Sequence, residues 1–490
     1  MKILMIWYIL GQVLRLEGIL ILVSCIISVI YWETQGVVYL LVGLGTVGVG
    51  HLLCRNKPEN TVFYLKEGCV ATAICWIVMS FIGSLPFYFT GEIPSFTDAL
   101  FETISGFTTT GASILSDVEV LSHTAIFWRS FTHWIGGMGV LVFVLAVIPM
   151  SGGSNINLLR AESTGPSVGK LVPKMRHTAR WLYLIYIGLT IIEFLLLLLG
   201  KMPWFDAITI TFGTTGTGGF GIKNDSMGSY SAYCQWVVAI FLILCGINFN
   251  MYYLLLYRKF KQAFSMEEVR NYLLIILAAT GIIFLDIVRT CNGAFEALTH
   301  AIFQVASIIT TAGFSTVDFD QWAQTSKFVL VLLMFIGACA GSTGGGVKVS
   351  RITIMFKNML RELKMYIHPK SIQKIKFEGR VVEESILHSV SVYLITFVLL
   401  FTLSMFLICL EGRDLLTSFT AVAATLNNIG PGLAMVGPTQ NFGFMTGFSK
   451  WVLMFDMLAG RLELFPMLIL FHPRIWKDAR RKHYVEKIHS

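Results

Sequence analysis

Four short polar segments, each centred on a glycine and each following an apolar stretch, recur along the 490-residue chain at Gly111, Gly219, Gly313 and Gly430. They read FTTTGAS (107–113), GTGGFG (216–221), TTAGFST (310–316) and NNIGPG (427–432). The gaps between the glycines are 108, 94 and 117 residues, and two positions before each stands Thr109, Thr217, Thr311 or Asn428. Quasi-periodicity on this scale implies one unit repeated four times. Glycine admits backbone conformations closed to other residues, and aligned carbonyls can replace the water around an ion. The spacing therefore predicts a pseudo-tetrameric cation pore.

A chain with 55% hydrophobic residues, 13% charged residues and a mean hydropathy of +0.70 exposes too much apolar surface for a soluble core, and is an integral membrane protein. Apolar runs near 18–31, 36–54, 68–90, 123–150, 181–200, 232–257, 272–288, 327–340, 386–410 and 446–471 predict about ten spans. The first is expected to be a retained helix, with Arg15 and Glu17 at its cytoplasmic edge and 1–14 as a short interfacial segment. The fold expected is all-α: two N-terminal helices (1–62), then repeats over 63–158, 159–262, 263–366 and 367–490, the last with the cytoplasmic C-terminus.

Net charge is +8, and 27 of the 37 lysines and arginines lie in the connections 55–66, 160–180, 258–270, 348–380 and 474–487. Basic short loops stay inside, which places both termini in the cytoplasm and the four glycine segments on the outer side. The same pattern is that of solvated loops, not of a nucleic-acid surface. The nine cysteines form no CxxC pair, and most sit in apolar runs as packing residues.

Each repeat has the form helix, half-helix, polar segment, helix. PSFTDALFETISG (94–106) is amphipathic and too short to cross the ~30 Å hydrocarbon core. It must dip in and return, and non-helical backbone at that depth survives only where it lines water or packs in protein. Thirteen residues before the glycines stand Asp98, Asp206, His300 and Thr417. The two carboxylates read either as helix caps or as groups that draw cations to the mouth.

These segments, together with GSLPF (83–87), WIGGMG (134–139), RAES.GP (160–166), GACAGSTGGGVK (337–348), AATLNNIGPGL (423–433) and GRLELFP (460–466), resemble the Trk/Ktr/HKT superfamily of potassium transporters. The likeness runs over essentially the whole chain and is strongest to the bacterial TrkH-type membrane subunits. It implies K⁺ uptake across the bacterial cytoplasmic (inner) membrane, a homodimer, and control by a cytosolic TrkA-type ring subunit that binds nucleotide (NAD or ATP/ADP). No cofactor bound by this chain is expected, and K⁺ is the transported ion.

Filter ligands are expected among the main-chain oxygens of Thr109, Thr110 and Gly111, Thr217, Gly218 and Gly219, Thr311, Ala312 and Gly313, and Asn428, Ile429 and Gly430. The side chains at 109, 217, 311 and 428 either add contacts to the ion or tie the filter to surrounding helices. The superfamily can carry serine at the first of the four glycine positions in sodium-preferring members, so Gly111 favours potassium. With one glycine per repeat, Rb⁺ and some Na⁺ are expected to pass.

The stretch Gly341, Ser342, Thr343, Gly344, Gly345 and Gly346 has the Walker x4 spacing, but Val347 intervenes before Lys348, and the run follows an apolar span. It is expected to break a membrane helix, as a packing surface of small residues or as a plug beneath the filter; the resemblance favours a gate. Arg461, in an apolar helix, must face water or a partner. Either it repels cations below the filter or it forms an ion pair with another repeat. Glu102 and Gln304, at matching positions, are expected to brace the filter, and His133 to face another helix. No HExxH motif, nucleophile elbow or Cys/His cluster points to an enzyme. A gated pore is favoured over a symporter coupling K⁺ to H⁺ or Na⁺.

Overall fold

The computed structural model describes residues 3–56, 65–139, 175–371 and 373–475, with backbone alone at 175–180. The RAES.GP motif, the greater part of the 160–180 and 474–487 basic connections, and the expected boundaries at 62 and 158 lie outside these residues.

The chain is almost wholly helical, its strands confined to the short hairpin Lys376–Phe377 and Arg380–Val381 among the described residues. Two helices, Ile3–Tyr31 and Gly36–Leu53, form a hairpin, and the first of them packs against the helices Leu65–Phe89 and His123–Gly137. Beyond the hairpin one pattern recurs four times. An entry helix (Leu65–Phe89, Met175–Leu199, Glu267–Ile287, Glu384–Cys409) leads to a half-helix (Phe96–Phe107, Trp204–Thr215, Ala294–Ile309, Leu415–Leu426) and, after the glycine segment, to an exit helix (His123–Gly137, Ala232–Gly246, Gln324–Ile336, Gly447–Arg461). Serine or threonine side chains cap three exit helices: Ser122, Ser231 and Thr446 accept from the amides of Ala125, Cys234 and Ser449.

Among the described residues, six helices are long and apolar enough to span a membrane, and a seventh span exists if the bent pair Ala232–Gly246 and Phe249–Leu256 is taken as one. The exit helices differ from expectation. They hold 15, 15, 13 and 15 residues, about 20–22 Å of helix, less than the ~30 Å hydrocarbon core. In the second repeat the chain turns by 89° at the break; in the third it enters the loop 337–348; in the fourth it resumes as Phe465–Ile469. The expected continuous spans at 232–257 and 446–471 are therefore broken. A second correction concerns the N-terminus. Residues 3–14 are the first turns of a continuous helix rather than an interfacial segment, and Glu17 is buried near its middle.

Each half-helix packs against its own entry and exit helices and against the exit helix of the preceding repeat, with the first half-helix on the fourth exit helix. That cyclic packing closes the four repeats around one axis.

Candidate functional site

All four half-helices end identically. The amides of Thr110, Gly218, Ala312 and Ile429 reach back to the carbonyls of Ser105, Gly213, Ser307 and Ala424 at 2.8, 2.7, 2.8 and 2.8 Å. One residue earlier, Thr109, Thr217, Thr311 and Asn428 bond to Gly106, Thr214, Ile308 and Thr425 at 3.1, 3.0, 3.1 and 3.2 Å. This is the Schellman ending, which requires a left-handed residue at its fifth position. Here that residue is not glycine: Thr109, Thr217, Thr311 and Asn428 have φ of 54°, 54°, 60° and 56°. A left-handed β-branched residue costs about 1–2 kcal/mol, and it recurs in three repeats. Strain held at the same place by the same bonds in all four repeats makes this segment the candidate site.

Two residues on, the glycines show why nothing larger fits. Gly111, Gly219, Gly313 and Gly430 have φ of 78°, 78°, 85° and 95°. A Cβ on Gly111 would overlap the carbonyl oxygen of Gly218, one on Gly219 that of Ala312, and one on Gly313 that of Ile429; on Gly430 it would stand 2.7 Å from the oxygen of Thr110. The four contacts run from repeat one to two, three, four and back to one. Each glycine thus lies against the carbonyl preceding the next repeat's glycine, and eight of the twelve expected filter residues, Thr110, Gly111, Gly218, Gly219, Ala312, Gly313, Ile429 and Gly430, meet in one closed ring, each pair preceded in sequence by Thr109, Thr217, Thr311 or Asn428. The four glycines also line a cavity of about 150 Å³ at one end of the ring.

At three positions the side chains before the glycines tie the ring to its scaffold. Thr217 Oγ1 donates to Gly216 O at 2.7 Å, Thr311 Oγ1 accepts from the Gly345 amide at 2.6 Å, and Asn428 Nδ2 donates to Thr110 Oγ1 and Met457 O, both at 2.9 Å. Thr109 Oγ1 is buried with no such partner among the described residues. Glu102 braces as expected, accepting from Ser113 Oγ and the Ile114 amide at 3.0 Å each and from Arg129 Nε at 2.6 Å. Gln304 does not: both its polar atoms are buried without a hydrogen bond among the described residues.

The sequence reading missed how Arg129 and His133 join repeats one and two. Arg129 also donates to Gly221 O at 2.9 Å and lies 3.5 Å over the Phe220 ring. His133 Nδ1 stands 2.8 Å from Gly106 O, and its Nε2 accepts from the Phe220 amide at 3.3 Å. A carbonyl on one side and an amide on the other fix the neutral tautomer with its proton on Nδ1. The one-turn spacing of these two residues was the only signal in the sequence.

Asp98 and Asp206 are not caps. Ser95 caps the first half-helix while Asp98 pairs with Lys450 at 2.6 Å, and Asp206 accepts from the Tyr230 hydroxyl at 2.8 Å. The matching His300 and Thr417 bond to Thr316 and to the Met435 amide at 2.9 and 3.3 Å. This position bonds the half-helix to chain beyond itself in every repeat.

Beneath the ring lies the loop 337–348. Besides the Thr311–Gly345 bond, the Gly346 amide donates to Asn427 O at 3.1 Å, and a Cβ on Gly344 would stand 2.7 Å from Thr310 O. Lys348 Nζ folds back to bond Gly344 O. Arg461 crosses from the fourth repeat to donate to Thr343 O in the loop at 2.9 Å and to Gly136 and Gly137 O of the first exit helix, the latter at 2.9 Å. Its guanidinium therefore joins three repeats at the level of the loop. Glu463 turns to Arg351, whose Nη1 donates to Val347 O at 3.1 Å.

A re-entrant half-helix repeated four times about an axis, with a carbonyl-lined ring at its centre, defines a polytopic membrane protein of the P-loop pore class. Comparison with known proteins agrees in detail. Residues 44–478 match the family model described as "TrkH: Cation transport protein". The chain is 37% identical over 477 residues to the Trk system potassium uptake protein TrkH of Salmonella typhimurium, covering 95% of this chain and 97% of that one. It is 36% identical to the protein of the same name from Escherichia coli K12, over 95% and 99% of the two chains. The crystal structure of the potassium transporter TrkH from Vibrio parahaemolyticus superposes with a TM-score of 0.88 at 32% identity, over 97% of this chain and 100% of that one. The chain belongs to the TrkH family of cation transport proteins.

Proposed function

We propose that this protein is the membrane subunit of a Trk-type potassium uptake system. It passes K⁺, and Rb⁺ with it, through a gated, channel-like pore down the electrochemical gradient. The observation that carries this reading is the ring: four glycine-to-carbonyl contacts closed in sequence order, which put equivalent oxygens from Thr110, Gly218, Ala312 and Ile429 around one axis. In this reading K⁺ is cargo at the twelve filter residues. The loop Gly341–Gly346 and Arg461 form the gate, and the guanidinium stands in the cation path until the loop moves. The relatives, which are potassium uptake proteins by name, supply the ion.

The same reading places the chain as a homodimer in the bacterial cytoplasmic membrane, with both termini and the basic connections inside. There a cytosolic nucleotide-binding ring subunit engages the basic inner connections, above all 351–380 and 474–487. Proteoliposomes holding only this chain, loaded with K⁺ and diluted into K⁺-free buffer, test the transport mode. Tracer Rb⁺ uptake that follows the K⁺ diffusion potential, competes with K⁺ and ignores imposed proton and sodium gradients supports the pore. Flux that requires either gradient and runs against that of K⁺ would replace it with a symporter.

A further inference from the structure

The gate loop is also gripped from its inner side. Glu268, the second residue of the third entry helix, is 3% exposed, and one of its oxygens accepts from the Ala340 amide at 2.6 Å. The other accepts from Asn248 Nδ2 at 3.2 Å. Asn248 caps the second arm of the bent exit helix, and the next amide there, Phe249, donates to Gly341 O at 3.1 Å. Consecutive loop residues are thus pinned by a carboxylate and by the break in the second repeat. Bonds to an ionised acceptor are about twice as strong as neutral ones, and a buried carboxylate that lost its donors would be left desolvated.

Glu268 is held in turn. Its own amide donates at 2.9 Å to Glu378 Oε1, in the turn of the hairpin 376–381. Lys357 fastens the same hairpin to the same helix end, donating to Lys376 O at 2.7 Å and pairing with Glu267 at 2.5 Å. Unbroken contacts therefore run from the hairpin, within the basic stretch 348–380, through the start of the third entry helix to the loop under the ring.

We propose that Glu268 is a positioning residue for gating: a latch whose carboxylate holds the loop beneath the filter and whose backbone is held by the 376–381 hairpin, so that displacing the hairpin frees the loop. This rests on the reading of the loop as the gate. Single-channel recording of the full chain in planar bilayers tests it with Glu268→Gln, Glu378→Ala and, as a probe of the loop itself, Arg461→Ala. Open probability rises roughly fivefold or more in Glu268→Gln and Glu378→Ala, while unitary conductance and the K⁺/Na⁺ reversal potential stay at the wild-type values. A residue that merely supported the fold would change conductance or selectivity as well. Should Glu268→Gln fail to assemble, Glu378→Ala, at the partly exposed hairpin, carries the test. An increase in Arg461→Ala alone overturns the latch and leaves the gate reading standing; no increase in any variant overturns both.

Discussion

Thr311 is the residue at which the ring and the loop 337–348 are hydrogen-bonded. Its backbone leads into the ring in a left-handed conformation, and its hydroxyl accepts from the Gly345 amide of the loop. Thr311→Val keeps the shape and removes the acceptor, leaving a buried amide unsatisfied at about 1–3 kcal/mol. The loop is then less firmly seated, and tracer Rb⁺ leak through the chain alone should increase; unchanged leak would mean that this bond does not hold the gate shut. Arg461→Ala removes the guanidinium that joins Thr343 to the first exit helix, and cation flux should rise. Normal expression with unchanged or lower flux would make Arg461 a brace between repeats. Gly111→Ser would drive a Cβ into the Gly218 carbonyl. The ring must then widen, so the K⁺/Na⁺ permeability ratio should fall, as a shift in bi-ionic reversal potential would reveal.

At the scale of elements, three carboxylates fasten helix ends. Glu33 accepts from the amides of His123 and Thr124 at 2.7 and 2.9 Å, Asp414 from Thr417 at 2.9 Å, and Glu411 from Thr446 at 3.0 Å. Burial disfavours the charged forms of Glu33 and Glu411, but the hydrogen bonds outweigh it, and bonding by Thr417 acts on Asp414; all three ionise below their ordinary range. A carboxylate with a lowered folded pKa stabilises the protein fully above its unfolded value, near 4, and loses that contribution as pH falls through the folded value. Thermal unfolding in detergent should show stability falling below about pH 4, with a shallower fall in the triple variant Glu33→Gln, Glu411→Gln, Asp414→Asn. Equal slopes would remove these three groups from the account.

The broken exit helices explain what the sequence could and could not reveal. In the second repeat, apolar residues continue through the break at Gly246 to Asn248, so hydropathy reads one span where the chain turns by 89°. Glu268 resembles an ordinary acidic residue in a helix's first turn, and only the packing shows that it reaches Ala340. Asp98 misleads for a related reason: its position suits a cap, but Ser95 fills that role and Lys450, 352 residues away, takes the carboxylate.

For the molecule as a whole, fourfold order was legible because its requirement is local. A ring of backbone in close contact forces glycine at one position per repeat, and that constraint survives although the four segments differ around it. The links between repeats were not legible, since Arg129, His133, Asn428 and Lys450 act across large sequence separations with no local pattern. The same links bind the four units into one body: each half-helix seats on the preceding repeat's exit helix. The central claim is that this ring coordinates the transported cation. Anomalous diffraction from crystals of the full chain grown in Rb⁺ tests it most directly. The account predicts a Rb⁺ peak on the axis, surrounded by the carbonyls of Thr110, Gly218, Ala312 and Ile429 and displaced by excess K⁺. A ring without a peak, while Rb⁺ occupies a site elsewhere in the protein, would contradict it.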